Sequence, residues 1–194
     1  MMDAQPSLFD LPIAPKTPLP EGFRYQAGLI SAEEERDLVA SFQDLPFKPY
    51  EHLGYFGNRR IAGFGWRQDD AGRMVETGEP IPDLLAPLLT KVAAFTGLAQ
   101  DTFRHALVTE YSPGAGIGWH RDRPPAVAIA GVSLVSPCHF RLRRKSGDRW
   151  ERATIVAEPR SAYLMSGPAR SDWQHSIPAV EAMRYSVTFR TVRR

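Results

Sequence analysis

Residues 184–192 read RYSVTFRTV, a run in which two classes of residue alternate. Side chains along a strand project by turns to its two faces, so Arg184, Ser186, Thr188 and Arg190 share one side, and Tyr185, Val187, Phe189 and Thr191 the other. A polar face holding two guanidinium groups is expensive to bury unless an anion lies in front of it. A dicarboxylate would meet that need. The other reading is an exposed face on an edge strand.

Working upstream, His175 stands nine residues before Arg184 in a strand-like stretch ending at Ile177 and Pro178. Of the five histidines, His120 is set apart by Asp122 two residues on. On a strand that spacing points an imidazole and a carboxylate the same way, so both can close on one ion. With His175 as third ligand the set becomes two histidines and a carboxylate. This arrangement leaves coordination positions open and suits oxygen chemistry at Fe(II), although the same ligands accept Mn(II), Co(II) or Ni(II).

The texture around these residues is that of short strands between turns, expected at 105–111, 128–135, 139–143, 150–156, 161–165 and 184–192. Ser31 with Glu34 forms a capping box that predicts a helix over about 32–44. Leu84, Leu88, Val92 and Phe95 predict a second over about 83–96, stopped by Gly97. The stretch EHLGYFGNRRIAGFGWRQDD, residues 51–70, reads as hairpins or ordered loops. Two early helices followed by many strands indicate an α+β chain whose body is a sandwich or jelly roll. Residues 1–20 carry five prolines and no period, which predicts an extended tail before a domain over 21–194.

Composition narrows the classes. At 43% apolar the 194 residues can bury a core, which excludes wholesale disorder. The longest apolar run, 126–135, is broken by Gly131 and Ser133 and falls short of the roughly 20 residues of a membrane span. The single Cys138 cannot form an internal disulfide and reads as a small packed residue. No leader pattern opens the chain, so a soluble cytoplasmic protein is expected. Gly114, Gly116 and Gly118 have the wrong spacing for a dinucleotide loop. Charge is uneven: residues 1–100 hold 9 basic and 14 acidic groups, residues 101–194 hold 15 and 8.

In their order, His120-x-Asp122, His175 and Arg184-x-Ser186-x-Thr188-Phe189-Arg190 resemble the signature of the AlkB family of Fe(II)- and 2-oxoglutarate-dependent dioxygenases. The run from Tyr111 through YSPGAGIGWH to His120 is similar to that family's strand tyrosine, glycine turn and first ligand, and SGPARSDWQHSIP, residues 166–178, to its entry into the second histidine. The resemblance is specific from about 105 onward. It implies a double-stranded β-helix (jelly roll) core with the N-terminal helices packed on one sheet. It also implies Fe(II) at His120, Asp122 and His175, with dioxygen and 2-oxoglutarate as cosubstrates. Arg184 would pair with the distal carboxylate of 2-oxoglutarate, Arg190 with the chelating end, and Tyr111 and Ser186 would add hydroxyl contacts. Thr109 and Ser186 stand where the family often has Asn; Ser186 is carried over as a contact and Thr109 is not. Pro124 replaces an acidic residue by which some repair members read the base.

The implied activity is oxidative dealkylation of N-alkylated nucleobases in DNA, a repair reaction releasing aldehyde, succinate and CO2. A base inside a duplex is out of reach of a buried metal, so it must be flipped out or already single-stranded. Tyr55, Arg59, Arg60 and Trp66 lie where relatives carry a substrate lid, with Phe56 and Phe64 between them; the aromatics would stack on a base and the arginines hold its backbone. Arg141, Arg143, Arg144 and Lys145 are further candidates for phosphate contacts. In the tail, Gln5-Pro6-Ser7-Leu8-Phe9 resembles the peptide by which bacterial repair proteins dock on the sliding clamp. A monomer is expected. The alternatives are the same chemistry on tRNA or protein side chains, or a jelly-roll metal-binding module without turnover.

Overall fold

The computed structural model describes residues 18–52, 55–68, 74–76, 79–122 and 126–192. Two antiparallel sheets face each other. The larger runs in the order β1 (Phe23–Gln26), β10 (Ser161–Met165), β7 (Ala126–Leu134), β12 (Arg184–Val192), β5 (Phe103–Tyr111), β3 (Tyr55–Gln68), β2 (Lys48–His52), with β4 (Met74–Glu76) paired to β3. The smaller runs β6 (Ile117–His120), β11 (Gln174–Ile177), β8 (Cys138–Ser146), β9 (Arg149–Ala157). Helices α1 (Ala32–Ser41) and α2 (Ala86–Thr96) cover the outer side of the larger sheet, and α3 (Gly167–Ser171) precedes β11.

Strand β12 explains why two cores exist. It lies in mid-sheet between β5 and β7, which removes the edge-strand reading. Val187 and Phe189, fully buried, point to the helices and join Phe42, Leu88, Val92, Val108 and Val132. Arg184, Ser186, Thr188 and Arg190 point the other way, into the space between the sheets. Around that space a second cluster packs Phe23, Phe140, Leu142, Tyr163, Met165 and Trp173. A jelly roll with helices on one sheet is the observed architecture.

The helices end where their sequence ends them. Glu34 N–H donates to Ser31 Oγ at 3.1 Å and Ser31 N–H to Glu34 Oε2 at 2.8 Å, the reciprocal cap expected from the spacing. A 3-10 turn, Phe42–Asp44, completes the first predicted span, and another, Asp83–Leu85, begins the second. Gly97 adopts φ +70° and stops α2 by donating to Ala93 O at 2.8 Å. Buried Glu35 ties α1 to the far end of the sheets, accepting from Val135 N–H at 2.8 Å and Arg160 Nη1 at 2.9 Å.

Residues 51–70, read as hairpins or ordered loops, centre on one 14-residue strand: β3 pairs antiparallel with its chain neighbours β2 and β4, as hairpins do, and also with β5. Strands β1, β6 and β11 have four residues each, too few to show a period. Cys138 is buried, and desolvation pushes its thiol above the ordinary range. Among the described residues no helix is long and apolar enough to cross a membrane. The peptide 5–9 and Pro124 lie outside the described residues.

Candidate functional site

The glycine-rich turn after β5 aligns the first histidine with the second. Gly114 N–H donates to Val180 O and Val180 N–H to Ala115 O, both at 2.8 Å, which lays the turn against the segment following β11. Gly116 passes so close to the backbone of Ile177–Ala179 that a Cβ there would overlap it. The two short strands then pair with His120 directly opposite His175. Their imidazole centroids are 4.2 Å apart.

Asp122 lies just beyond the end of β6 and still reaches both rings. One ligand atom from each of His120, Asp122 and His175 fits within 4.8 Å of the others. His120 Nδ1 lies 2.9 Å from Gly118 O; a carbonyl only accepts, so Nδ1 carries the proton and Nε2 offers its lone pair. His175 Nε2 is 3.4 Å from Asp122 Oδ2. Burial lowers the His175 pKa to about 3, against the pull of Asp122, so it is a neutral imidazole across the physiological range. Burial pushes the Asp122 carboxyl upward, but Arg190, then His175 and His120, hold it well below the carboxylate range.

Opposite the triad, the β5–β12 ladder builds a polar wall by register. It pairs Arg184 with Tyr111, Ser186 with Thr109, Thr188 with Leu107 and Arg190 with His105. Arg190 Nη2 donates to Asp122 Oδ1 at 3.0 Å, and Nη1 lies 3.2 Å from His105 Nδ1. A guanidinium only donates, so His105 accepts there as a neutral ring. Its pKa is lowered to about 3 by burial first and by Arg190 second.

Arg184 is different. Only 1% exposed, it donates from Nε to Ser133 Oγ at 3.2 Å and stacks over Tyr111 with Cζ 4.7 Å from the ring centroid. Its Nη1 is buried without a hydrogen-bond partner, and among the described residues no carboxylate pairs with it. Such a charge costs several kcal/mol to bury alone. The cavity in front is lined by Thr109, Tyr111, Tyr163, Ser186 and both β12 arginines. The donor set of the triad fits a divalent metal ion, and the orphaned guanidinium fits a carboxylate of a small diacid.

Several wall residues were absent from the sequence reading. Ser133 left a trace as the polar interruption of the most apolar run. His105 and Tyr163 left none, because each becomes special only through its neighbour across a strand pair. Tyr163 folds over Gly131 of β7, where any Cβ would collide with the ring. Thr109, set aside above, stands in the same wall as Ser186.

The four substrate candidates part company. Arg59 faces the glycine turn, donating from Nη1 to Gly116 O at 3.0 Å with its guanidinium 3.7 Å over the Tyr50 ring. Arg60 is turned away from the site: it pairs with Glu110 through Nε at 2.7 Å and Nη2 at 2.8 Å, while Tyr185 Oη donates to the same carboxylate at 2.9 Å. Strand parity is the reason, since Arg59 is in register with Tyr111 and Arg60 with Glu110, which face opposite sides. Trp66 is half-buried opposite Glu76. The side chain of Tyr55 lies outside the described residues.

A family model described as the 2OG-Fe(II) oxygenase superfamily matches residues 22–190. The chain is similar to the "Alkylated DNA repair protein ALKBH8 homolog" of Arabidopsis thaliana, 29% identical over 192 residues, covering 85% of this chain and 54% of the relative. It is also similar to the "Probable RNA/DNA demethylase ALKBH6" of Danio rerio, 32% identical over 100 residues, covering 52% of this chain and 40% of that one. The chain thus spans about half the length of the curated relatives it matches. Among solved structures it resembles OsALKBH1, with a TM-score of 0.67 and 14% identity over 92% of this chain and 100% of that one. A Pseudomonas putida prolyl-4-hydroxylase shares the fold at a TM-score of 0.59 and 15% identity, over 89% and 93%.

Proposed function

From the chain's membership of the 2OG-Fe(II) oxygenase superfamily, we propose that it oxidatively dealkylates N-alkylated nucleobases in DNA, as a cytoplasmic repair enzyme. An N-methyl base, dioxygen and 2-oxoglutarate would give the free base, formaldehyde, succinate and CO2. The observation that carries the reading is the juxtaposition of the His120, Asp122, His175 triad with the buried, unpaired Nη1 of Arg184 across one cavity. DNA as the polymer is supported by the naming of an Arabidopsis relative for alkylated DNA repair and by the basic second half of the chain.

When bound, Fe(II) together with the 2-oxo acid supplies the oxidation of a C–H bond by dioxygen. His120, Asp122 and His175 would hold it, the two imidazoles neutral and the carboxylate charged. Arg184 would bind the distal carboxylate of 2-oxoglutarate, with Tyr111 and Ser186 beside it, in a setting where water cannot compete. Arg190 would face the chelating end, its orientation fixed from both sides by His105 and Asp122. Arg59, by gripping the glycine turn, would shape the entry on the substrate side, and Trp66 and Tyr55 would meet the base. Gln5–Phe9 would tether the enzyme to a sliding clamp.

Purified protein given Fe(II), 2-oxoglutarate and methylated single-stranded DNA should release succinate and formaldehyde in equal amounts. His120→Ala and Asp122→Ala should abolish both; full activity in either variant rejects the ligand assignment. A second reading, RNA as substrate, draws on the RNA/DNA wording of the Danio rerio relative. Turnover on matched panels of alkylated DNA, RNA and peptide decides between them.

A further inference from the structure

The smaller sheet has an outer face that the reaction does not use. Alternation turns Trp119 outward on β6, behind its neighbour His120. On β8, Arg141, Arg143 and Lys145 share that face, because Phe140 and Leu142 between them are buried inward. On β9 the register sets Thr154 opposite Arg141, Arg152 opposite Arg143 and Trp150 opposite Lys145. Arg143 sits between two indoles, its Cζ 4.3 Å from the Trp119 centroid and 4.4 Å from that of Trp150. Arg141 lies 5.1 Å from Trp119.

Among the described residues, Arg141 and Arg143 donate to neutral partners. Arg143 Nε donates to Gln174 Oε1 at 2.8 Å, and Arg141 Nε to Ser176 Oγ at 3.0 Å. Among the described residues, none of Arg141, Arg143, Lys145 and Arg152 forms an ion pair. The one acid within β8 and β9, Glu151, has the opposite parity and is bound to Arg144. Like charges directly opposite on paired strands repel, as Arg143 and Arg152 do here, so the face is relieved by an incoming polyanion.

We propose that this outer face binds single-stranded nucleic acid, the four cations taking phosphates and the two indoles taking bases. Trp150 is 39% exposed, which leaves part of its ring open to stacking. Guanidiniums interleaved with indoles across a flat sheet suit a polymer carrying both charge and planar rings. The polymer class rests on the nucleic-acid reading above, but the place does not. Because the face looks away from the triad, a strand held there would be a docking segment separate from the reacting base.

The test is anisotropy of a labelled, unmodified oligothymidylate titrated with the full chain over a range of salt. Trp150→Ala should weaken binding about fivefold or more, and Trp150→Phe should keep most of it. Arg152→Gln, an exposed change with little bearing on folding, should weaken binding and lower the salt slope by about 0.7. Unaltered affinity in both Trp150→Ala and Arg152→Gln overturns the proposal, as does tighter binding to phosphatidylserine vesicles than to oligonucleotide. Turnover is scored apart. Turnover of an alkylated oligonucleotide with binding indifferent to these variants removes the surface and leaves the reaction standing. Variant-sensitive binding without turnover on any alkylated oligonucleotide keeps the surface and removes the reaction.

Discussion

Arg184 on β12 and Arg143 on β8 are alike in local chemistry. Each donates once through Nε to a neutral oxygen and each lies against aromatic rings. They differ in surroundings: Arg184 is enclosed between the sheets, while Arg143 lies on the outer side of the smaller one among other cations. An enclosed guanidinium has no water to fall back on, so it asks for one compact anion in fixed stoichiometry. An outer row remains partly hydrated, and its attraction to a polyanion is cumulative and screened by salt. The lesson is that burial, not residue type, separates the proposed cosubstrate clamp from the proposed docking surface.

The sharpest way to break this contrast is Arg184→Met. Calorimetry should show 2-oxoglutarate binding weakened by about two to four orders of magnitude, the cost of about 3–5 kcal/mol for removing one partner of a buried ion pair. That loss should change little with salt. The protein without cosubstrate should at the same time gain about 1–3 kcal/mol in denaturant unfolding, since an unpaired buried charge is gone. A destabilised variant, or one that still binds 2-oxoglutarate tightly, contradicts the assignment.

Acid should act next most strongly, and on the inner region only. His105 has its folded pKa at about 3, below the ordinary 6.5, so the unfolded chain binds the extra proton first. Its contribution is fully present above pH 6.5 and is lost as pH falls toward 3, on the order of a few kcal/mol at most. Urea midpoints between pH 7 and 4 should therefore fall less steeply in His105→Gln than in the parent. Parallel curves would show that His105 is not held neutral.

Gly131→Ala tests the wall between these extremes. The added methyl must displace the Tyr163 ring, which should cost about 1–3 kcal/mol of stability and weaken 2-oxoglutarate binding together. Stability lost with cosubstrate affinity intact would mean that Tyr163 yields away from the cavity. The smallest effect is expected at Arg60, whose partly exposed pair with Glu110 belongs to neither region. Arg60→Ala should lower stability only slightly, because the pair is solvent-screened, and leave oligonucleotide binding unchanged. A marked loss of DNA affinity would return Arg60 to the substrate side.

How much of this was legible beforehand depends on the range of the signal. The period of β12, the capping box at Ser31 and the stop at Gly97 act between near neighbours, so each could be read from its own residues. The triad could be proposed because the donor chemistry of His120, Asp122 and His175 is restricted and their order resembles a known family. Trp119 and Trp150 gave no hint of sharing Arg143, and nothing in the residues around Arg60 told that Glu110 would claim it.

The sequence by itself determined which residues can ligate a metal, which strand face is polar and where the helices cap, because these follow from side-chain chemistry and local geometry. Only the tertiary structure decided that His105 faces Arg190, that Ser133 and Tyr111 share Arg184, and that the Arg143 guanidinium lies between two indoles. Those are consequences of strand register, and register is set by the packing of both sheets at once.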